Sequence, residues 1–202
     1  MNEHDTELLT RADALQAEAD AVIATLDLAG LFADIGPIAF MGSYVSGLLS
    51  WRDLDVGLLA GPACGPTDVL AMLGRVAERT AVTGFSYADE RGDRCPTEQE
   101  RDERYHVPIE IPWDGATWRI DLSVWLHDLH TNVRDWHEEL RMRITPEERL
   151  TVLRIKDVWW RLPTYPDEIG GGEIYEAVLQ DGVLTPDAFD AWLVARGLPG
   201  RG

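Results

Sequence analysis

Asp53 and Asp55 stand one residue apart in the stretch MGSYVSGLLSWRDLDVGLLA, Met41 to Ala60, between two apolar runs and just after a Gly-Ser turn. Residues i and i+2 of a strand leave the same face, so both carboxylates point together while Leu54 and Val56 turn into a core. Adjacent carboxylates repel each other unless a cation or a shared proton relieves them. A hard divalent ion such as Mg²⁺ takes oxygen ligands and is often shared with substrate phosphates. Asp121, between Ile120 and Leu122, is a third carboxylate on a strand face. Three carboxylates on neighbouring strands can hold two metal ions, which activate an attacking oxygen and stabilise a leaving one. The Gly42-Ser43 turn suits such a site. Glycine allows close backbone approach, its N–H groups can face an anion, and the serine hydroxyl can donate to a phosphate oxygen. A short helix beginning near Ser43 would add to this.

The elements that must position these groups follow from periodicity. Leu8, Leu9, Ala12, Leu15, Ala19, Val22 and Ile23 predict an amphipathic helix from Thr6 to Leu28. Ile38 to Met41 and Leu54 to Leu59 predict two buried strands. Thr67 and Asp68 are read as the cap of a helix through Arg79, followed by a strand from Ala81 to Tyr87. Ala88 to Arg104 is almost all polar and reads as a solvated loop. Tyr105–Trp113 and Ala116–Leu126 read as a hairpin turning at Asp114-Gly115, with Glu110 opposite Arg119 as a cross-strand charge pair. Beyond Leu126 the pattern is helical: His130–Met142, a helix from the Thr145-Pro146-Glu147-Glu148 start to about Leu162, one from Gly170–Gly172 through Gln180, and a last one from Thr185 through Arg196. The front of the chain is thus α/β and the back helical.

The formal net charge of −18 over 202 residues disfavours broad, unassisted nucleic-acid binding. It suits a cationic small substrate, or a nucleotide carried in with magnesium, and it serves solubility equally well. The acidic start has no basic and apolar leader pattern, and no apolar run approaches membrane-spanning length, so the expected location is the cytoplasm, with no membrane contact. Two cysteines, Cys64 and Cys95, make neither a disulfide framework nor a metal motif.

The stretch MGSYVSGLLSWRDLDV resembles the signature of the polymerase-beta-like nucleotidyltransferase superfamily: an apolar residue, Gly-Ser, a spacer (here the nine residues Tyr44 to Arg52), then Asp, apolar, Asp, apolar. Ile120-Asp121-Leu122 is similar to that family's third, later carboxylate strand. The resemblance covers roughly residues 31–126. It implies an α+β fold with a nucleotidyltransferase-type mixed sheet flanked by helices and followed by a C-terminal helical region, divided as 1–128 and 129–202. It also implies metal-dependent transfer of a nucleoside monophosphate from ATP or another NTP to a hydroxyl, with pyrophosphate leaving. Gly42 and Ser43 would hold the triphosphate. Asp53 and Asp55 would bind one or two Mg²⁺ ions. Asp121 would bind the second and help deprotonate the acceptor. Many members carry arginine where this chain has Tyr44 and Ser46.

Lysine and arginine total 18, and Lys156 is the only lysine. Mid-helix, it flanks the apolar stripe of Val152 and Trp159, where its compact charge could reach the triphosphate or pack its stem on Trp159. Glu110 is a second candidate for the third carboxylate, with pairing to Arg119 as its plainer use. Tyr165 and Tyr175 are read as core or interface residues that could instead stack on a base. Trp159 and Trp160 are read as packing. The histidines, His127 and His130 included, form no metal motif. Three functions are weighed: transfer to a small-molecule hydroxyl, an aminoglycoside-like cation being suggested by the charge; the same chemistry on tRNA or protein, as in toxin-like members; and a non-catalytic antitoxin or binding protein with the same fold. A homodimer completing the cleft is compatible with the sequence.

Overall fold

The computed structural model describes residues 2–201. The chain opens with α1 (Glu3–Leu26), a single turn α2 (Leu28–Leu31), β1 (Ile38–Phe40) and the short α3 (Gly42–Ser46). It continues through β2 (Asp53–Leu59), α4 (Pro66–Arg79), β3 (Gly84–Phe85) and β4 (Ala88–Glu90) to the long hairpin of β5 (Arg104–Trp113) and β6 (Ala116–Trp125). Four helices follow: α5 (Thr131–Arg143), α6 (Pro146–Trp159), α7 (Gly171–Leu179) and α8 (Pro186–Ala195). This is the α+β arrangement expected, a mixed sheet with helices against it and more helices after it.

One mixed sheet runs β1-β2-β6-β5-β3, with β4 also paired to β5. The β5–β6 turn is set by Asp114 and Gly115, both at positive φ (45° and 76°), the geometry a two-residue hairpin turn needs. That turn puts Glu110 opposite Arg119, the expected register, and Pro108 opposite Asp121. The decisive pairing is β2 with β6, the parallel one. It aligns Asp53 with Arg119 and Asp55 with Asp121.

Side chains leaving the other face of these strands fill the main core. Leu54, Val56, Leu58, Ile120, Leu122 and Val124 pack there with Leu15, Ala19, Val22 and Leu26 of α1 and Val69, Met72 and Val76 of α4. A second core joins α5 to α8 around Leu140, Ile155, Trp159, Phe189 and Leu193, and it takes in Leu48 from the segment after α3. Charge pairs tie α6 back to α1: Arg154 to Asp5, Arg149 to Asp13 and Arg11 to Asp157. Thus α6 spans the front and the back of the molecule.

Three local expectations are corrected. The cap of α4 is Gly65, whose N–H donates to the Asp68 carboxylate at 2.8 Å, so Thr67 and Asp68 lie inside the first turn. The strand expected over Ala81–Tyr87 shrinks to Gly84–Phe85. The polar run after it is not wholly loop. Ala88–Glu90 pairs with β5, Asp89 holds Arg91 and Arg94, and Glu90 holds Arg104, so these charges neutralise one another. Among the described residues no helix is long and apolar enough to cross a membrane.

Candidate active site

A cleft of about 240 Å³ lies between the sheet and the helices that follow it. Gly42, Ser43, Asp53, Asp55 and Asp121 line one part of it, and Tyr165 and Tyr175 another. The structure therefore gathers the residues singled out from spacing, with Lys156 behind Ser43. Glu110 is outside. It is exposed, it does not pair with Arg119, and it lines a different cavity.

The sheet wall is charged. Arg119 bridges two of the carboxylates, donating from Nη1 to Asp53 Oδ1 at 3.2 Å, with Nη2 2.8 Å from Asp121 Oδ2. That engagement, on the face β6 shares with β2, is why the expected Arg119–Glu110 pair is not made. His106 Nε2 hydrogen-bonds the other oxygen of Asp121. Among the described residues Arg119 is the one guanidinium bonded to Asp53, and the set stays under-neutralised. Burial, together with the charge of Asp55, holds the Asp53 carboxyl well above the usual carboxylate range. Burial and the neighbouring Asp121 push Asp55 up to about 6, against the pull of Lys156 and Arg119. Asp121 differs. Burial works against its charge, but the His106 and Arg119 contacts outweigh it and hold its pKa below the ordinary value.

The helical wall is a closed network. Lys156 is fully buried, 0% exposed, and donates to Ser43 Oγ at 2.6 Å, to the Leu48 carbonyl at 2.8 Å and to Tyr175 Oη at 3.3 Å. An ammonium has three N–H groups, and all three are used. Burial opposes the lysine charge, yet the oxygens of Tyr165, Tyr175 and Asp55 raise its pKa overall, so it is held as a cation. Gly42, at φ +62°, starts α3. A Cβ there would fall 1.8 Å from Asp55 Oδ2, so only glycine lets the backbone lie against that carboxylate. The first N–H groups of a helix have no intrahelical acceptor and stay available to a ligand. His137 closes the cleft. Burial, then the Lys156 charge, lowers its pKa to about 4, which leaves the imidazole neutral at pH 7.

Sequence reasoning missed three residues here. The hairpin register alone pairs Arg119 with Glu110. His106 belongs to no motif, although the hairpin register places it near Asp121 on one face. Trp51 stacks parallel to Trp160 (centroids 6.2 Å, planes 11° apart) and meets Tyr165 edge-on at 6.3 Å, a contact between remote segments that no local pattern encodes.

The geometry can be set beside known structures. Cid1 in complex with the UTP analog UMPNPP matches 91% of this chain at a TM-score of 0.56 and 14% identity. Cid1 in complex with its short product ApU matches 76% at a TM-score of 0.50 and 15% identity. The chain spans about half the length of these structures, 56% and 44%. No family model and no curated protein matches the sequence. The chain shares the fold of these structures.

A divalent cation fits the donor chemistry of the sheet wall: three hard oxygen donors, two of them with charges their surroundings do not neutralise. The arrangement, however, is set by Arg119. Among the described residues no three His, Cys, Asp or Glu side chains are already spaced to hold a metal. Arg119 engages one oxygen each of Asp53 and Asp121 and leaves Asp55 unbonded.

Proposed function

We propose that the chain is a metal-dependent nucleotidyltransferase that moves a nucleoside monophosphate, AMP from ATP in the first instance, onto a hydroxyl of a small molecule. The observation that supports this most is the parallel β2–β6 register, which sets Asp55 against Asp121 with Asp53 beside them, at the foot of the Gly42-Ser43 turn. Asp53, Asp55 and Asp121 would hold one or two Mg²⁺ ions, which supply charge neutralisation to the triphosphate and activation to the attacking hydroxyl. The backbone of Gly42 and the hydroxyl of Ser43 bind the triphosphate. Lys156 acts through Ser43: it orients the hydroxyl and sets a fixed positive charge behind it. The acceptor oxygen forms a bond to the α-phosphorus, the bond from that phosphorus to the bridging oxygen breaks, and pyrophosphate leaves. Asp121 takes the acceptor's proton. Its lowered pKa keeps it ionised, and His106 fixes its direction.

A second reading takes an RNA end as acceptor, and the likeness to Cid1 bound to its product ApU favours it. The net charge of −18 favours the small acceptor. Incubation of the chain with α-labelled ATP, UTP, CTP and GTP, with Mg²⁺ and separate pools of small hydroxylated compounds and of short RNA, tests both. Labelled small product with pyrophosphate supports the first reading, and extended RNA replaces it with the second. Absence of pyrophosphate release with every donor and pool removes both.

A further inference from the structure

The Lys156 network is closed, but the helical side of the cleft still has donors to offer. No lysine or arginine side chain lines the cleft. Tyr44 turns away to Asp20 at 2.8 Å, and Ser46, 2% exposed, folds back on the Gly42 carbonyl. Lys156 stands behind Ser43 as a buried cation held by three uncharged oxygens, with no carboxylate bonded to it among the described residues. A buried charge of this kind is stabilised by an anion on the open side of Ser43.

Two features of the same wall can donate to such an anion. The first is the start of α7. The N–H of its cap, Gly170, is taken by Glu173 Oε2 at 2.9 Å, whereas the N–H groups of Gly171 and Gly172, both on the cleft wall, have no partner among the described residues. The second is His137. It lines the cleft, it is 8% exposed, and neither ring nitrogen makes a hydrogen bond among the described residues. Nδ1 is sealed inside the protein, so Nε2 is the nitrogen left to meet the cleft. A buried N–H without an acceptor is the rarer orphan, so the neutral ring carries its proton on Nε2 and is a donor there.

Tyr175 ties these donors to Ser43. Its Oη lies 3.2 Å from Ser43 Oγ, a Cβ on Gly171 would fall 3.2 Å from the same oxygen, and its ring centroid is 5.9 Å from that of His137. We propose that the N–H groups of Gly171 and Gly172 and the Nε2–H of His137 seat the terminal phosphate of a nucleoside triphosphate opposite Ser43, with no basic side chain in contact. A nucleoside diphosphate lacks that group, so these three donors set a preference for tri- over diphosphate. That the seated polyphosphate is an NTP rests on the nucleotidyl-transfer reading; the seat itself does not.

Calorimetry on the full chain with Mg²⁺ tests it, with ATP, ADP and inorganic tripolyphosphate as probes and a thermal melt of every variant. Gly172 accepts a side chain, since a Cβ there meets nothing within 4 Å. Gly172→Asp puts a carboxylate in the first turn of α7, which favours the helix and opposes an anion. Gly172→Asn has the same size without the charge, and His137→Phe keeps a ring without the donor. Wild type is expected to bind ATP about tenfold or more tighter than ADP. Gly172→Asp should melt no lower than wild type and lose about tenfold or more in affinity for ATP and tripolyphosphate, against about threefold or less for Gly172→Asn. His137→Phe should lose about tenfold for ATP, and ADP affinity should stay within about threefold in all three variants. Three results overturn the proposal: wild type binds ATP and ADP equally, folded Gly172→Asp keeps its ATP affinity, or ADP affinity falls as far as that for ATP. Tripolyphosphate binding that Gly172→Asp abolishes, with no binding of either nucleotide, would remove the nucleotidyl-transfer reading and leave the seat standing; magnesium-dependent ATP binding that ignores Gly172→Asp would do the reverse.

Discussion

The two walls of the cleft handle buried charge in opposite ways. The helical wall holds one cation, Lys156, whose three N–H groups all meet oxygen. It is a finished structure. The sheet wall holds three carboxylates against Arg119 and His106, and two of the three are pushed toward their protonated forms. It is unfinished, and it gains from a further cation. The comparison separates support from chemistry: the satisfied network fixes where Ser43 and α3 sit, and the strained cluster is what a metal and a phosphate would relieve.

Breaking the sheet wall has the largest expected effect on function. Asp53→Asn with Asp55→Asn should lower nucleotidyl transfer by roughly 10³-fold or more, because two of the three carboxylates of the sheet wall lose their charge. Pyrophosphate release with labelled ATP measures it. Breaking the helical wall acts first on the fold. Lys156→Met should cost about 3 kcal/mol and lower Tm by roughly 6–12 °C, since it leaves Ser43 Oγ, the Leu48 carbonyl and Tyr175 Oη without their shared donor. Thermal melts without ligand read that loss, and Lys156→Arg is expected to melt low as well, because a guanidinium fork does not fit a site shaped for a point charge.

The two walls also respond differently to pH. Asp55 is raised from the ordinary 3.8 to about 6 in the folded protein, so the native state binds more protons than the unfolded chain between those values. Its effect on stability is therefore favourable below about pH 4 and is lost as pH rises through about 6. In metal-free protein Asp55→Asn should melt higher than wild type at pH 8, by roughly 1–2 kcal/mol, with the gap closing below pH 5. Equal melting temperatures at pH 8 would mean the carboxylate is not strained. The smallest effect is expected at His106→Gln, which loosens Asp121 without removing it: kcat falls about tenfold while KM for ATP changes little.

Much of this was legible in the sequence for a physical reason. Strand alternation places Asp53 with Asp55, and the Asp114-Gly115 turn fixes the register that carries Asp121. Capping chemistry marks α6, where Thr145 and Glu148 form the reciprocal cap the order of residues implies. What stayed hidden depends on contacts between remote segments. The choice of Arg119 for Asp53 and Asp121 over Glu110 follows from the parallel partner, which local pattern does not specify. Lys156 read as the flank of an apolar stripe, and only the docking of α6 on α3 and α7 shows it fully buried against Ser43 and Tyr175. The meeting of Ser43, His137 and the start of α7 around Tyr175 draws on three helices at once.

Calorimetry of ATP binding to the metal-free chain, with and without Mg²⁺, on wild type and on Asp53→Asn/Asp55→Asn, tests whether the three carboxylates hold a metal for the nucleotide. Wild type is expected to require the ion for binding, and the variant to lose that requirement or most of its affinity. Failure of wild type to bind any of the four NTPs with Mg²⁺ or Mn²⁺, or identical metal-dependent binding in the two proteins, would contradict it.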